Sequence, residues 1–187
     1  VSVSFAARVA GALVLTVALA APAHAATGQS TCGWMMRGFN HVDDCGFERQ
    51  TERYSPKMPW YAEGSGYKGM DLGKGYAYEG YNNAFVRTND GRWNSWSQRT
   101  QGQLQRNRTY ELTAWIRAQG NVGKGLLGVD LAGYSPAVSY AGTGHYQRVV
   151  LRFDSGPNTA ATVFIGYESP GVDSWIQIDE VELVAVS

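Results

Sequence analysis

The sequence predicts an all-β fold, a sandwich or barrel of antiparallel strands, and three observations carry that reading. From Asn83 onward, short runs of alternating apolar and polar residues are separated at regular intervals by turn signals. No stretch beyond residue 25 shows a helical period. The composition is rich in turn formers and rings, with 23 glycines, 11 tyrosines and six tryptophans.

The clearest element is Thr109–Ala118, TYELTAWIRA. Side chains alternate across a strand, so Tyr110, Leu112, Ala114, Ile116 and Ala118 share one face and Glu111, Thr113, Trp115 and Arg117 the other. One apolar and one mixed face indicate an antiparallel sheet with a solvated side. Trp115 and Arg117 are therefore the first candidates for a ligand surface. The alternative is a Trp115 covered by a loop, where it only packs.

The remaining elements follow in order. Residues 84–88 form a short strand, Asn89-Asp90-Gly91 signals a turn, and Trp93–Arg99 returns. Residues 126–132 alternate again, with Leu127, Val129 and Leu131 on one side. Residues 134–144 read as a polar, aromatic loop. Residues 147–153 turn Val149, Leu151 and Phe153 inward and Arg148 and Arg152 outward. Strands over 161–167 and 175–186 complete the pattern. Residues 54–83 instead read as a long irregular segment holding Trp60, many glycines and Tyr67, Tyr76, Tyr78 and Tyr81. So many rings argue against disorder and for a binding loop.

The start of the chain has its own pattern. Residues 1–25 read as a secretion signal: Arg8, an apolar run over 10–21, and Ala23-His24-Ala25 as a small-x-small cleavage site. The run is short for a membrane span, and an exported, extracellular protein is expected. Cys32 and Cys45 are the only two cysteines. In an exported chain an even count reads as a disulfide, which here closes a loop worth roughly 3 kcal/mol in the chain-entropy model. Residues 26–44 then form an N-terminal segment with this closed loop, and residues 45–187 a single binding domain. Removing Arg8 leaves 15 basic against 16 acidic residues. Near-neutrality argues against a nucleic-acid partner and against a membrane-surface role.

Three short motifs occur in a telling order: Gly46-Phe47-Glu48, Trp96-Ser97-Gln98 before TYELTAWIRA, and Ile178-Asp179-Glu180-Val181-Glu182-Leu183 near the end. In this order the chain, over residues 44–186, resembles carbohydrate-binding modules of the galactose-binding-like jelly-roll type. The resemblance implies two antiparallel sheets in a jelly roll, with the first and last strands together, often around a structural calcium ion. It implies Glu48 and Asp179 as the carboxylate ligands, completed by backbone carbonyls of the long loop; calcium suits irregular oxygen-rich loops. The other reading is that both carboxylates cap turns or pair with nearby cations. The chain departs from the pattern in the bulky Glu180 and Glu182. By the same pattern Trp96 points inward, leaving Trp93 as the exposed candidate.

Catalysis is not expected. Beyond the signal only His41 and His145 remain, and no nucleophile elbow or paired-histidine metal motif occurs. Glycoside hydrolysis needs two carboxylates across a cleft, and nothing in the sequence pairs Glu63, Asp71, Asp130, Glu168 or Asp173. Sugars are recognised by rings and planar polar groups, and two surfaces compete. One is the solvated sheet face, with Trp115, Arg117, Arg148, Arg152 and Asp130. The other, slightly favoured because loops carry recognition, is a rim of Trp60, Tyr61, Tyr78, Tyr81, Tyr134 and Trp175. A non-catalytic carbohydrate-binding module is expected. The competing expectation is a protein–protein adaptor in a secreted assembly, its rings serving as interface anchors.

Overall fold

The structure, a computed structural model, describes residues 38–186. The secretion signal expected over residues 1–25, residues 26–37 and Cys32 lie outside the described residues. Cys45 is buried; the partner expected for it is Cys32.

Ten strands follow in chain order: β1 (Tyr61–Glu63), β2 (Tyr67–Leu72), β3 (Asn82–Thr88), β4 (Trp93–Arg99), β5 (Thr109–Ala118), β6 (Gly125–Asp130), β7 (Ala137–Tyr140), β8 (Tyr146–Asp154), β9 (Thr162–Glu168) and β10 (Ser174–Ala185). No described residue is helical. The strands form two five-stranded antiparallel sheets, ordered β1-β4-β9-β6-β7 and β2-β3-β10-β5-β8. The result is the expected all-β sandwich of jelly-roll type.

The alternation read in the sequence is what packs the two layers. Tyr110, Leu112, Ala114, Ile116 and Ala118 of β5 are all buried, facing Leu127, Val129, Val163 and Ile165 of the other sheet. In β10 the inward set changes parity. Ile176 and Ile178 point in, and so do Val181 and Leu183. A β-bulge between Asp179 and Glu182 inserts the extra residue, with Glu180 at φ 46°. Without it Val181 and Leu183 would turn to the same side as Asp179.

Four expectations are corrected. Trp60 does not belong to a solvent-facing rim: it is 1% exposed, its ring centroid is 4.9 Å from that of Phe47, and its Nε1 donates to the Asp44 carbonyl at 2.9 Å. The apolar ring gains more from the core, and its one polar atom is satisfied there. Residues 54–83 are not one irregular loop, since β1 and β2 lie within them. Gly69 hides the alternation of β2. A Cβ at that position would collide with the Arg53 carbonyl and crowd the Phe85 ring, where the Arg53 carbonyl accepts from Met70 N at 2.8 Å. The loop expected over residues 134–144 contains the short edge strand β7. Asp130, on β6, lies in the sheet opposite Trp115 and cannot join its face.

Candidate ligand-binding site

The outward side chains of the β2-β3-β10-β5-β8 sheet form ordered rows. Register sets Phe85, Gln177, Arg117 and Tyr146 side by side across four strands, and Asp179, Trp115 and Arg148 in the next row. Trp175 stands opposite Arg87. Each strand supplies these residues because its intervening positions are committed to the core.

One half of this face is partly covered by a loop. Tyr78, from the β2–β3 connection, stacks on Trp115 with ring centroids 3.8 Å apart and planes 13° from parallel. Tyr78 covers one face of Trp115, which stays half-buried and lines a second, smaller cavity of about 290 Å³ with Glu79, Thr113 and Arg148. Arg148 donates to Glu111 at 3.2 Å and Arg152 to the same carboxylate at 2.8 Å, so both arginines serve a largely buried Glu111.

The other half is an open groove of about 450 Å³. Its aromatic walls are Phe85, Tyr76 and Trp175, and Arg53, Arg87 and Arg117 surround them. The floor is polar. Asp71 accepts from Gln177 Nε2 at 3.2 Å and from Asn83 Nδ2 at 3.4 Å, and pairs with Arg53 at 3.1 Å. A carboxylate is acceptor-only, so it turns both amide NH₂ groups towards itself. The amide oxygens, Gln177 Oε1 and Asn83 Oδ1, are left buried with no hydrogen-bond partner among the described residues. Buried acceptors of this kind are uncommon and costly.

The groove's rim is braced. Tyr146 Oη donates to the Tyr76 carbonyl at 2.9 Å, and burial pushes its phenol well above the ordinary value, with Asp179 adding to the shift. Arg87 makes two bonds to Asp173, at 2.8 and 2.6 Å. The guanidinium of Arg53 lies 5.1 Å from the Phe85 centroid, and that of Arg117 5.3 Å from the Trp175 centroid.

Glu48 and Asp179 hold the connection between β2 and β3, though not as the resemblance implies. Asp179 Oδ2 accepts from the backbone N–H of Tyr78 at 2.8 Å and of Glu79 at 3.1 Å, and Oδ1 from Glu180 N at 2.8 Å. Glu48 Oε1 accepts from Tyr81 N at 2.8 Å and Asn82 N at 3.0 Å. A calcium site needs oxygens converging on the ion, and here the loop turns N–H groups to these carboxylates where carbonyls were expected. The arrangement does not fit a calcium ligand set, and among the described residues no group of three or more His, Cys, Asp or Glu could hold a metal ion. Burial, with Glu180 nearby, pushes the Asp179 carboxyl well above its ordinary value against the pull of its three N–H donors.

Of the residues singled out in the sequence, the groove brings together Arg117 and Trp175. Tyr78 and Trp115 lie beside it as a stacked pair, and Tyr81 is exposed beyond the loop. Tyr61 and Trp93 are on β1 and β4 of the other sheet, Trp93 edge-on to Phe164. Tyr134 sits between β6 and β7. The rim expected from the sequence is therefore dispersed over both sheets. Reasoning from sequence missed Arg53, Asn83, Phe85 and Gln177, and named Tyr76 only as one ring of the expected binding loop. The alternation in β3 and β10 was the available signal, because Asn83, Phe85 and Arg87 share one face of β3 and Trp175, Gln177 and Asp179 the matching face of β10. Of the carboxylates considered for catalysis, Asp71 lines the groove paired to Arg53, and Asp173 is paired to Arg87 outside it.

No protein-family model matches the chain. No curated protein matches it either. Solved structures do match. TmCBM61 in complex with β-1,4-galactotriose is 20% identical with a TM-score of 0.57, covering 79% of this chain and 99% of that one. The CBM22-1 xylan-binding domain of Paenibacillus barcinonensis Xyn10C is 13% identical with a TM-score of 0.54, covering 76% and 92%. The enzymatically active domain of bacteriophage CBA120 tailspike protein 4 is 12% identical with a TM-score of 0.61, and the match covers 79% of this chain but 21% of that chain. At these identities the likeness is one of architecture: the chain has the β-sandwich fold found in carbohydrate-binding modules.

Proposed function

We propose that the groove between Phe85, Tyr76 and Trp175 binds a carbohydrate chain, and that the protein acts by binding and not by turnover. The observation that carries this is a polar floor of Asp71 and Gln177, the latter with an unpartnered amide oxygen, set between aromatic walls. A sugar offers what such a site lacks: hydroxyl donors around its edge and apolar C–H faces for rings. The single groove carboxylate among the described residues, Asp71, is paired with Arg53 and donates no second catalytic group. The solved modules of similar fold, one in complex with β-1,4-galactotriose and one a xylan-binding domain, support the reading.

The same reading takes the protein as exported, on the strength of residues 1–25, with Cys32 and Cys45 joined as a disulfide. Among the described residues no helix is long and apolar enough to cross a membrane. Affinity electrophoresis against a panel of insoluble and soluble polysaccharides tests the binding. Retention by at least one polysaccharide, lost in Gln177→Ala, is expected. A folded protein that no polysaccharide retains overturns the proposal, and capture of a stoichiometric protein partner in its place favours an adaptor. Mass spectrometry of protein recovered from culture medium, with and without alkylation, reads the cleavage and the thiols together.

A further inference from the structure

We infer that the ligand of the groove is an acidic saccharide, whose negative group is taken by Arg117; this rests on the groove being a carbohydrate site. Three arginines line the groove, and two of them are already neutralised. Arg53 pairs with Asp71 at 3.1 Å and Arg87 with Asp173 at 2.6 Å. Arg117 has no carboxylate within ion-pair distance among the described residues. Its neighbours across the sheet are Gln177 on one side and Tyr146 on the other, both uncharged.

The guanidinium is nevertheless held. Its Nε donates to the Gly144 carbonyl at 2.9 Å, and its Cζ lies over the Trp175 ring, 5.3 Å from the centroid. One donor is used as an anchor, while the terminal nitrogens remain for a ligand. An arginine fixed in this way presents a preorganised planar fork, which matches a carboxylate or a sulfate ester better than a hydroxyl. Gln177, whose Oε1 is buried and without a donor, is the register partner of Arg117 on β10 and lines the same groove. Cation and orphan acceptor together describe one residue of an acidic sugar: a negative substituent towards Arg117 and a neighbouring hydroxyl donating to Gln177. A neutral sugar satisfies the second group and leaves the charge of the first unmatched.

The test uses the full chain as exported. Binding to polygalacturonate is compared with binding to the same polymer after carboxyl reduction, with κ-carrageenan as the sulfate-bearing arm and xylan and galactan as neutral arms. Tighter binding of an anionic polymer than of every neutral one, by about tenfold, is expected. That preference should shrink as salt rises from about 0.05 to about 0.5 M. Retention of polygalacturonate or of κ-carrageenan tells which anion is read. In Arg117→Gln the preference over the neutral polymers should collapse, and Arg117→Lys should restore part of it. Equal or tighter retention on the neutral polymers overturns the inference and leaves carbohydrate binding standing. Retention on none overturns both. The comparison before and after carboxyl reduction needs no variant, so a folding defect at Arg117 cannot obscure it.

Discussion

The ring of Tyr78 lies face to face on that of Trp115, 3.8 Å between centroids, and this contact separates a partly covered half of the sheet face from the larger open groove. The loop that delivers Tyr78 is tied down through its own backbone, by Asp179. Truncating the ring in Tyr78→Ala should therefore uncover Trp115 without releasing the loop. We expect a loss of about 1–2 kcal/mol in stability. Tryptophan emission should shift to the red and quench more readily, a change absent when Trp115→Phe is combined with it. Retention on a bound polysaccharide should persist, since neither ring lines the groove; its loss would extend the site to the Trp115 half.

Trp175 and Phe85 should behave in the opposite way. Both are half-buried walls of the groove. Trp175→Ala or Phe85→Ala is expected to weaken polysaccharide binding by about tenfold or more, as loss of an aromatic platform does. Denaturant midpoints should move much less than for Trp96→Ala, which empties a fully buried site and should cost about 3–5 kcal/mol.

Asp179 satisfies three backbone N–H groups from a buried position. Asp179→Ala should cost about 2–4 kcal/mol, because the donors are left without an acceptor. The melting temperature of the unaltered protein should not respond to a chelator. A fall on chelation, reversed by added calcium, would return Glu48 and Asp179 to the ligand role implied by the resemblance.

The Glu111 carboxylate gives the protein an acid-sensitive element. Burial alone would raise its pKa, but the hydrogen bond from Arg152 and the charges of Arg148 and Arg152 outweigh it and hold the carboxyl below its ordinary value. A depressed folded-state value contributes stability above the unfolded pKa and loses it as pH falls through the folded one. Unfolding measured across that range should therefore show wild-type stability declining below about pH 4.5. Glu111→Gln should be less stable near neutrality and flatter in acid. The two arginines are 37% and 70% exposed, so solvent screening limits the difference to about 1 kcal/mol.

Much of the fold could be read from local alternation. Trp93–Arg99 and Thr109–Ala118 are strands with the bounds that the residue pattern indicates, and the inward set of β5 is buried as the period of two requires. Pattern reading failed where the period is short or interrupted. β1 and β7 are three and four residues long, and Gly69 interrupts β2. It also failed for Trp60, whose size and indole N–H suit a solvated rim and a satisfied core equally well on paper.

The amino-acid order by itself determined the class of fold, the inward face of β5, and a near-neutral overall charge. These follow from chemistry repeated every second residue along one segment, which needs no distant partner. Tertiary structure alone decided where a ligand can sit. Phe85, Arg117 and Gln177 come from three separate strands and become neighbours only because β10 pairs with β3 on one side and β5 on the other. Likewise Tyr78 covers Trp115 because Asp179, a hundred residues away, turns the loop over it. Hydrogen-bond register between remote segments sets both relationships, and no local pattern encodes it.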